Sequence, residues 1–459
     1  MTTFLDRRQM LERAGTGFGM LGLAGLLQSE ARGHVVGPHF APRAKRVIFL
    51  FMNGAPSHVD TFDPKPALAD HEGEKPTGKT KRPAKAGYMP SPFKFAPHGE
   101  SGVVMSEILP NLPRHADDMC VIRSMHTDEP NHEPGLLLMH CGNQQPIRPS
   151  LGSWASYGLG SANENLPAFV TLCPGRPVVG PYLWSNSFLP SRHQGMSVDT
   201  NNMQVDKLIA NLNHPSLPRD QQRKMLDLLA NLNRNHLEQR AADDALEAQI
   251  RAFELAFKMQ TEASEAFDIS GESKETIDMY GSSVFARSCL LARRLCERDV
   301  RFVQVYYVTK SGKQPWDTHT NNNQRQKELC ADSDKATAAL LTDLKQRGLL
   351  EDTLVVWSGE FGRTPFAQPG KNKKKAGRDH HADGFSLFLA GGGVRGGMMY
   401  GNTDEFGMHA VENRVHVHDL HATILHLMGI DHQRLTYRYS GRDFRLTDVH
   451  GNVVHDVIA

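Results

Sequence analysis

Five side chains that could bind a metal ion or move a proton lie beside apolar runs in the second half of the chain. They are Asp317, His319, Glu360, His380 and His381. The apolar runs at 301–308, 353–357 and 385–390 are typical of buried strands, and a helix is predicted between the first two. In parallel α/β sheets, ligands bind beyond the carboxyl ends of the strands. Because carboxylates and imidazoles bind divalent metals, the sequence predicts a metal site at this edge. Each residue taken alone could equally be a helix cap or a solvated loop residue.

Two hydroxyl side chains and an amide stand in similar positions nearer the N-terminus. The apolar run 47–52 predicts a buried central strand and ends at Asn53, with Ser57 in the loop that follows. Thr127 follows a short predicted strand at 118–123, within a dense polar cluster that precedes a helix. A hydroxyl in such a place either caps a helix or attacks a substrate, with backbone amides stabilising the developing charge. For Asn53 and Ser57, a simple turn is the alternative.

Composition limits the class of protein. The chain has 459 residues, of which 23 are histidines. Its net charge of +1 gives no reason to expect binding to nucleic acid. The length favours one large α/β domain with a helical part, predicted over 45–459, or two closely packed domains as the alternative. Residues 219–267 have the apolar spacing of two amphipathic helices and are interpreted as an insert within that domain.

The first 33 residues are typical of an export signal. Arg7 and Arg8 precede a glycine-rich apolar run at 17–27, which is too short to span a bilayer. A twin arginine before such a run resembles a bacterial twin-arginine signal. The sequence therefore predicts export to the periplasm or cell envelope and no transmembrane span. It does not indicate an oligomeric state.

Two resemblances extend this interpretation. The segment 348–360 resembles the alkaline-phosphatase and sulfatase superfamily. Nearly the whole chain resembles the bacterial family called domain of unknown function 1501, through motifs at 54–63, 291–295, 316–319 and 359–365. That family is exported, common in planctomycetes and placed in the alkaline-phosphatase-like superfamily, and no substrate is established for it. The resemblance implies an α/β fold with a mainly parallel central sheet flanked by helices.

The resemblance also implies metal-binding roles in chain order. Asn53 stands where the superfamily usually has a first metal-binding aspartate, and Asp317 and His319 match its Asp/His pair. Glu360 replaces the second aspartate, and His380 or His381 matches the late histidine. Phe361 stands where a histidine is usual. A neutral Asn53 and an apolar Phe361 weaken the second metal position, so one ion is at least as well supported as two.

The expected activity follows from these roles. The resemblance implies an exported hydrolase of small or polymeric phosphate or sulfate esters that uses a divalent metal, with zinc expected first and calcium, manganese or magnesium as alternatives. Thr127 is the nearest match to the nucleophile and Ser57 the second, while Arg363 or Arg123 would neutralise the anionic group. The competing hypothesis is a non-catalytic exported binding or assembly protein that keeps the fold.

Overall fold

The structure is a computed structural model. It describes residues 37–77, 80–208, 265–369 and 375–459, together with scattered residues between 218 and 258. The signal predicted at 1–33 and most of the insert predicted at 219–267 lie outside the described residues, and both stay predictions. None of the described helices combines the length and apolar content that a bilayer span requires.

The described elements alternate between strands and helices through most of the chain. The strands are β1 (Arg46–Met52), β2 (Phe95–His98), β3 (Val103–Ser106), β4 (Met119–His126), β5 (Phe169–Leu172), β6 (Met196–Val198), β7 (Phe302–Tyr307), β8 (Thr353–Ser358), β9 (Gly362–Gln368), β10 (Gly377–His381), β11 (Phe385–Ala390), β12 (Met398–Tyr400), β13 (Asn402–Thr403), β14 (Ala410–Glu412), β15 (Val415–His416), β16 (Tyr437–Tyr439) and β17 (Arg442–Phe444). The helices are α1 (His58–Thr61), α2 (Ala67–Asp70), α3 (His132–Cys141), α4 (Leu151–Leu159), α5 (Val205–Leu208), α6 (Lys274–Tyr280), α7 (Val284–Glu297), α8 (Asn322–Gln346) and α9 (Val417–Leu427).

Nine of the described strands form the central sheet. Its order is β12-β4-β11-β8-β1-β7-β5-β6, and β15 adds to β4. Strand β1 pairs in parallel with both β7 and β8, and β5 pairs in parallel with β6 and β7. The exception is β11, which runs antiparallel to both β8 and β4. The prediction of an α/β fold with a mainly parallel sheet is confirmed, and the four predicted apolar runs lie side by side within it.

The sheet is buried on both faces because its central strands are apolar at successive positions. All seven residues of β1 are buried. Ile48 and Leu50 pack into one apolar cluster with residues of α7 and α8, whereas Phe49 and Phe51 pack into a second with residues of α3, α4 and α9. Alternate side chains of a strand point to opposite faces, so helices cover the sheet on both sides.

The reversed direction of β11 determines which residues reach the functional edge. The carboxyl ends of β1, β4, β7 and β8 share one edge of the sheet, and the start of the antiparallel β11 lies at that same edge. The β9–β10 hairpin stands between β8 and β11 in the chain and therefore belongs to this edge. The residues that precede β11 therefore lie at the same edge of the sheet as the loops that follow the parallel strands.

Candidate metal centre

Three histidines and one aspartate bring their ligating atoms together at this edge. They are His132, Asp317, His319 and His380, and one ligand atom of each lies within 4.8 Å of the others. His132 is the first residue of α3, Asp317 and His319 lie in the loop after β7, and His380 lies in β10. The Oδ1 atom of Asp317 is 3.2 Å from Nε2 of His132, 2.9 Å from that of His319 and 3.2 Å from that of His380.

The other ring nitrogen of each histidine is held by an oxygen acceptor. His132 Nδ1 lies 2.6 Å from Glu360 Oε1, and His380 Nδ1 lies 2.7 Å from the Pro130 carbonyl oxygen. His319 Nδ1 contacts Gln368 Oε1. A neutral imidazole carries one N–H, and a carboxylate or carbonyl acceptor fixes that proton on Nδ1. All three Nε2 lone pairs then point at the carboxylate oxygen. This is the orientation that metal-binding histidines adopt.

The donor set and its spacing fit a divalent cation. Three imidazole nitrogens and one carboxylate oxygen are typical ligands of four-coordinate zinc. Ligand atoms about 2.0–2.2 Å from a tetrahedral ion are about 3.3–3.6 Å from one another. The observed separations of 2.9 to 3.2 Å from Asp317 Oδ1 are only slightly shorter. The types of donor and these separations therefore fit a site for one divalent ion such as zinc.

Arg363 forms an ion pair with Asp317. Its guanidinium is completely buried, and Nη2 lies 2.5 Å from Asp317 Oδ1. The same side chain donates to the backbone carbonyls of Gly54, Ala55 and Arg378. Burial alone would raise the pKa of Asp317, but the three histidines and Arg363 hold it far below its usual range. Asp317 is therefore ionised. The donors of Arg363, which the sequence assigned to the substrate, are directed at the protein.

Glu360 acts on the cluster through His132. It is fully buried, and Oε1 accepts from the Gly54 amide at 3.1 Å as well as from His132 Nδ1. Burial lowers the pKa of His132, but Asp317 and Glu360 outweigh this effect and raise it. The sequence analysis proposed Glu360 as a ligand. In the structure it stands behind a ligand and orients it, as carboxylates behind zinc-bound histidines do.

Phe361, which stands where the resemblance implies a histidine ligand, is apolar. Phe361 packs against the rings of His132 and His380, with ring centroids 5.1 and 4.9 Å apart. Asn53 is completely buried, and neither polar atom of its side chain has a hydrogen-bond partner among the described residues. The arrangement favours one ion, and Asn53 keeps two free polar atoms close to the loop that bears Glu360.

The remaining predicted residues lie outside this four-residue group. His381 is next to His380 on β10, and its ring stacks on His58 with centroids 5.7 Å apart. The Thr127 amide donates to the Ala382 carbonyl at 2.9 Å, while its hydroxyl is buried and has no hydrogen-bond partner among the described residues. The Ser57 hydroxyl is also buried, and it interacts with Asp60. Arg123 contacts Asn402.

His132 is a candidate ligand that was not predicted from the sequence. Its signal in the sequence is its place at the start of a helix that follows a strand. Gln368, which holds His319, also lines a groove of about 690 Å³ together with Tyr88, Met89 and Asn321. Gln368 is therefore shared between this groove and the cluster.

Several solved structures are similar to the chain. The lipoteichoic acid synthase LtaP from Listeria monocytogenes has 10% identity and a TM-score of 0.39, over 90% of this chain and 78% of that one. The PsFucS1 sulfatase from Pseudoalteromonas sp. has 13% identity and a TM-score of 0.35, over 84% and 68%. The alkaline phosphatase from the Antarctic bacterium TAB5 has 14% identity and a TM-score of 0.33, over 78% and 95%. TM-scores below 0.5 support no conclusion about the activity of this chain.

No curated protein matches the sequence. A family model does match, over residues 44–458, which is nearly the whole chain. This confirms the resemblance that the motifs at 54–63, 316–319 and 359–365 indicated. The chain belongs to the family described as "Protein of unknown function (DUF1501)".

Proposed function

We propose that this protein is an exported, metal-dependent hydrolase of phosphate or sulfate esters that uses one divalent ion. The ion is zinc by the chemistry of its donors, and His132, Asp317, His319 and His380 hold it. The observation that carries the proposal is the convergence of three Nε2 atoms on one carboxylate oxygen, with every Nδ1 held by an acceptor. Such a donor set is typical of a divalent metal site.

A zinc ion held there would polarise the ester oxygen and lower the pKa of a bound water. The protein supplies the rest. Glu360 keeps His132 in the binding orientation, and Arg363 keeps Asp317 ionised. Phe361 forms an apolar wall against two of the imidazoles, which keeps water away from that side of the cluster.

Thr127 is the proposed nucleophile. Its hydroxyl is buried and has no described hydrogen-bond partner, so no protein contact has to break before it attacks. Its oxygen would bond to phosphorus or sulfur as the bond to the ester oxygen breaks, and the threonine proton would pass to the departing alcohol. Water would then cleave the new bond, which releases the acid and restores the hydroxyl. Ser57, whose hydroxyl is also buried, is the alternative. The groove beside Gln368 offers space for the alcohol part of the ester.

The competing function is that of a binding or assembly protein without catalysis. Phe361 favours it, because an apolar ring beside the cluster cannot bind the second ion that would assist the leaving group. The two functions differ in turnover and not in metal content. A zinc-loaded chain that binds an ester without cleaving it would support the binding protein.

The test is hydrolysis of p-nitrophenyl phosphate and p-nitrophenyl sulfate by the zinc-loaded protein. We expect turnover of at least one ester, its loss in Thr127→Ala, and unchanged zinc content in that variant. Loss of turnover in Ser57→Ala with normal turnover in Thr127→Ala would assign the attack to Ser57. Absence of turnover with either ester in a fully loaded wild type would contradict the hydrolase.

Export remains part of the proposal through Arg7 and Arg8. Replacing both with lysine should leave the protein in the cytoplasm, as judged by fractionation of cells that express the whole chain. Normal export of that double variant would contradict the twin-arginine route.

A further inference from the structure

One arginine at the centre has no carboxylate partner among the described residues. The Nη2 atom of Arg82 and Nδ1 of His380 lie 3.2 Å apart and both donate to the Pro130 carbonyl oxygen, at 3.1 and 2.7 Å, and Nη2 also donates to Oδ1 of Asn131. His380 is one of the four clustered residues. The guanidinium therefore stands immediately behind one of the candidate ligands.

The charge of Arg82 is not neutralised within the described part of the chain. No described carboxylate lies within ion-pair distance of it, and its described partners are neutral and all contact Nη2. The other two arginines near the centre differ. Arg363 is fully buried against Asp317, and Arg378 is fully buried against Asp60. Arg82 is half-buried, so it combines a free positive charge with donors that a ligand can reach.

The loop that carries Arg82 is held on both sides of it. The Lys81 ammonium donates to the Thr127 carbonyl at 2.5 Å, directly beside the proposed nucleophile. Further along, the Met89 amide donates to the Pro365 carbonyl at 2.9 Å, in β9. These contacts position Arg82 before any ligand binds. Such preorganisation reduces the entropy lost on binding.

The start of α3 adds a second source of positive potential at the same spot. Asn131 is the N-cap residue of α3, yet its side chain makes no capping hydrogen bond to the helix amides and contacts Arg82 instead. The first amides of a helix carry a partial positive charge, and an anion can satisfy them. Through its contact with Asn131, Arg82 lies at the start of this helix.

We propose that Arg82 is a substrate-binding residue that holds the tetrahedral anionic group of the ester over the cluster. The inference rests on the proposed function and makes it more specific. The planar fork of a guanidinium matches the spacing of phosphate and sulfate oxygens and binds them through paired hydrogen bonds. Arg82 replaces Arg363 and Arg123 in this role. Arg363 is fully buried against Asp317, and the described contact of Arg123 is to Asn402 and to none of the four clustered residues.

The test is calorimetric titration of the zinc-loaded full chain with inorganic phosphate and with inorganic sulfate at fixed ionic strength. Arg82→Gln removes the charge but keeps a donor that can reach Pro130. We expect it to weaken binding of the preferred anion by about 10- to 100-fold, the usual effect of one lost charge-assisted contact. Arg82→Lys keeps the charge and should recover part of the affinity. Zinc content and melting temperature should stay unchanged in both variants.

Lys85 provides the matched control, because it is an exposed cation three residues along the same loop. Lys85→Gln should change the anion affinity by less than about twofold, since a solvated charge acts weakly at this range. An unchanged affinity in Arg82→Gln, or equal losses in the two glutamine variants, would overturn the assignment. So would a zinc-loaded wild type that binds neither anion. Failure of the proposed hydrolase is a different result, in which the wild type binds phosphate through Arg82 but cleaves no ester.

Discussion

The Nε2 atoms of His319 and His380 lie 3.0 Å apart, and each is about 3 Å from the same oxygen of Asp317. With the Nδ1 proton of His380 donated to Pro130, the ring presents a lone pair to its neighbour. Two lone pairs and a carboxylate at this distance repel one another unless a proton or a metal ion lies between them. The predictions below follow from a metal ion in that position.

His132 should matter for metal binding as much as the ligands that the sequence predicts. His132→Ala removes one of four donors and leaves Glu360 without its partner. We expect zinc affinity, measured by competition with a chromophoric chelator, to fall by more than the 10- to 100-fold that is typical of changes behind a ligand.

His381→Ala is the control for that experiment. It removes a buried imidazole from the position next to His380, where the ring stacks on His58 and not on the cluster. Zinc affinity should stay within a few-fold of the wild type. A large loss in His381→Ala together with a small loss in His132→Ala would mean that the late ligand is His381.

Glu360→Gln should weaken zinc binding without abolishing it. The amide oxygen of glutamine still accepts the His132 proton but lacks the negative charge that strengthens this contact. The expected loss is about 10- to 100-fold in affinity. Glu133→Gln alters an exposed carboxylate next to His132 and should have little effect. Complete loss of zinc in Glu360→Gln would indicate that Glu360 binds the ion itself.

Arg378→Met should destabilise the fold. Arg378 and Asp60 are both completely buried, joined by contacts of 2.9 and 3.1 Å, and Asn322 also donates to Asp60 at 2.9 Å. Burial opposes ionisation of Asp60, but Arg378 and its neighbours lower its pKa overall. Removing one partner of such a pair costs about 3–5 kcal/mol. Urea unfolding checks this, and a loss below about 1 kcal/mol would contradict it.

Buried His140 should make the protein less stable in acid. Its ring lies against Phe51 and Tyr306, and burial, assisted by nearby His421, lowers the pKa of His140 to about 3. The unfolded chain binds this proton below about pH 6.5 and the folded chain does not. The stability that His140 contributes is therefore complete above pH 6.5 and decreases as the pH falls toward 3.

His140→Gln removes that proton uptake from the unfolded chain. When the pH is lowered from 7 to 5, the free energy of unfolding should decrease by about 2 kcal/mol less in the metal-free variant than in the metal-free wild type. Urea unfolding at the two pH values measures the difference. Equal losses in the two proteins would show that His140 does not contribute to the acid sensitivity.

The sequence predicts Asp317 and His319 because local rules are sufficient for them. An apolar run identifies β7, and residues after a parallel strand reach the carboxyl edge whatever the order of the sheet. His132 needs more information. His132 follows β4. Because β11 pairs antiparallel with both β4 and β8, β4 runs in the same direction as β8, and its carboxyl end lies at the functional edge. This pairing is not visible in the sequence.

The choice between His380 and His381 could not be made from the sequence for a different reason. The two are adjacent, and the direction of their side chains depends on the register of the β9–β10 hairpin, which is irregular between Arg378 and His380. The role of Glu360 could not be predicted either. A carboxylate near a metal site can bind the ion or hold a histidine ligand, and only the contact with His132 Nδ1 indicates the second role.

The most direct test of the account is the metal content of the purified, folded full chain, measured by mass spectrometry after zinc loading and dialysis. The account predicts close to one zinc per chain in the wild type and close to none in His319→Ala, with the variant still folded by circular dichroism. A folded wild type that retains no divalent metal, or a His319→Ala variant that retains as much as the wild type, would contradict it.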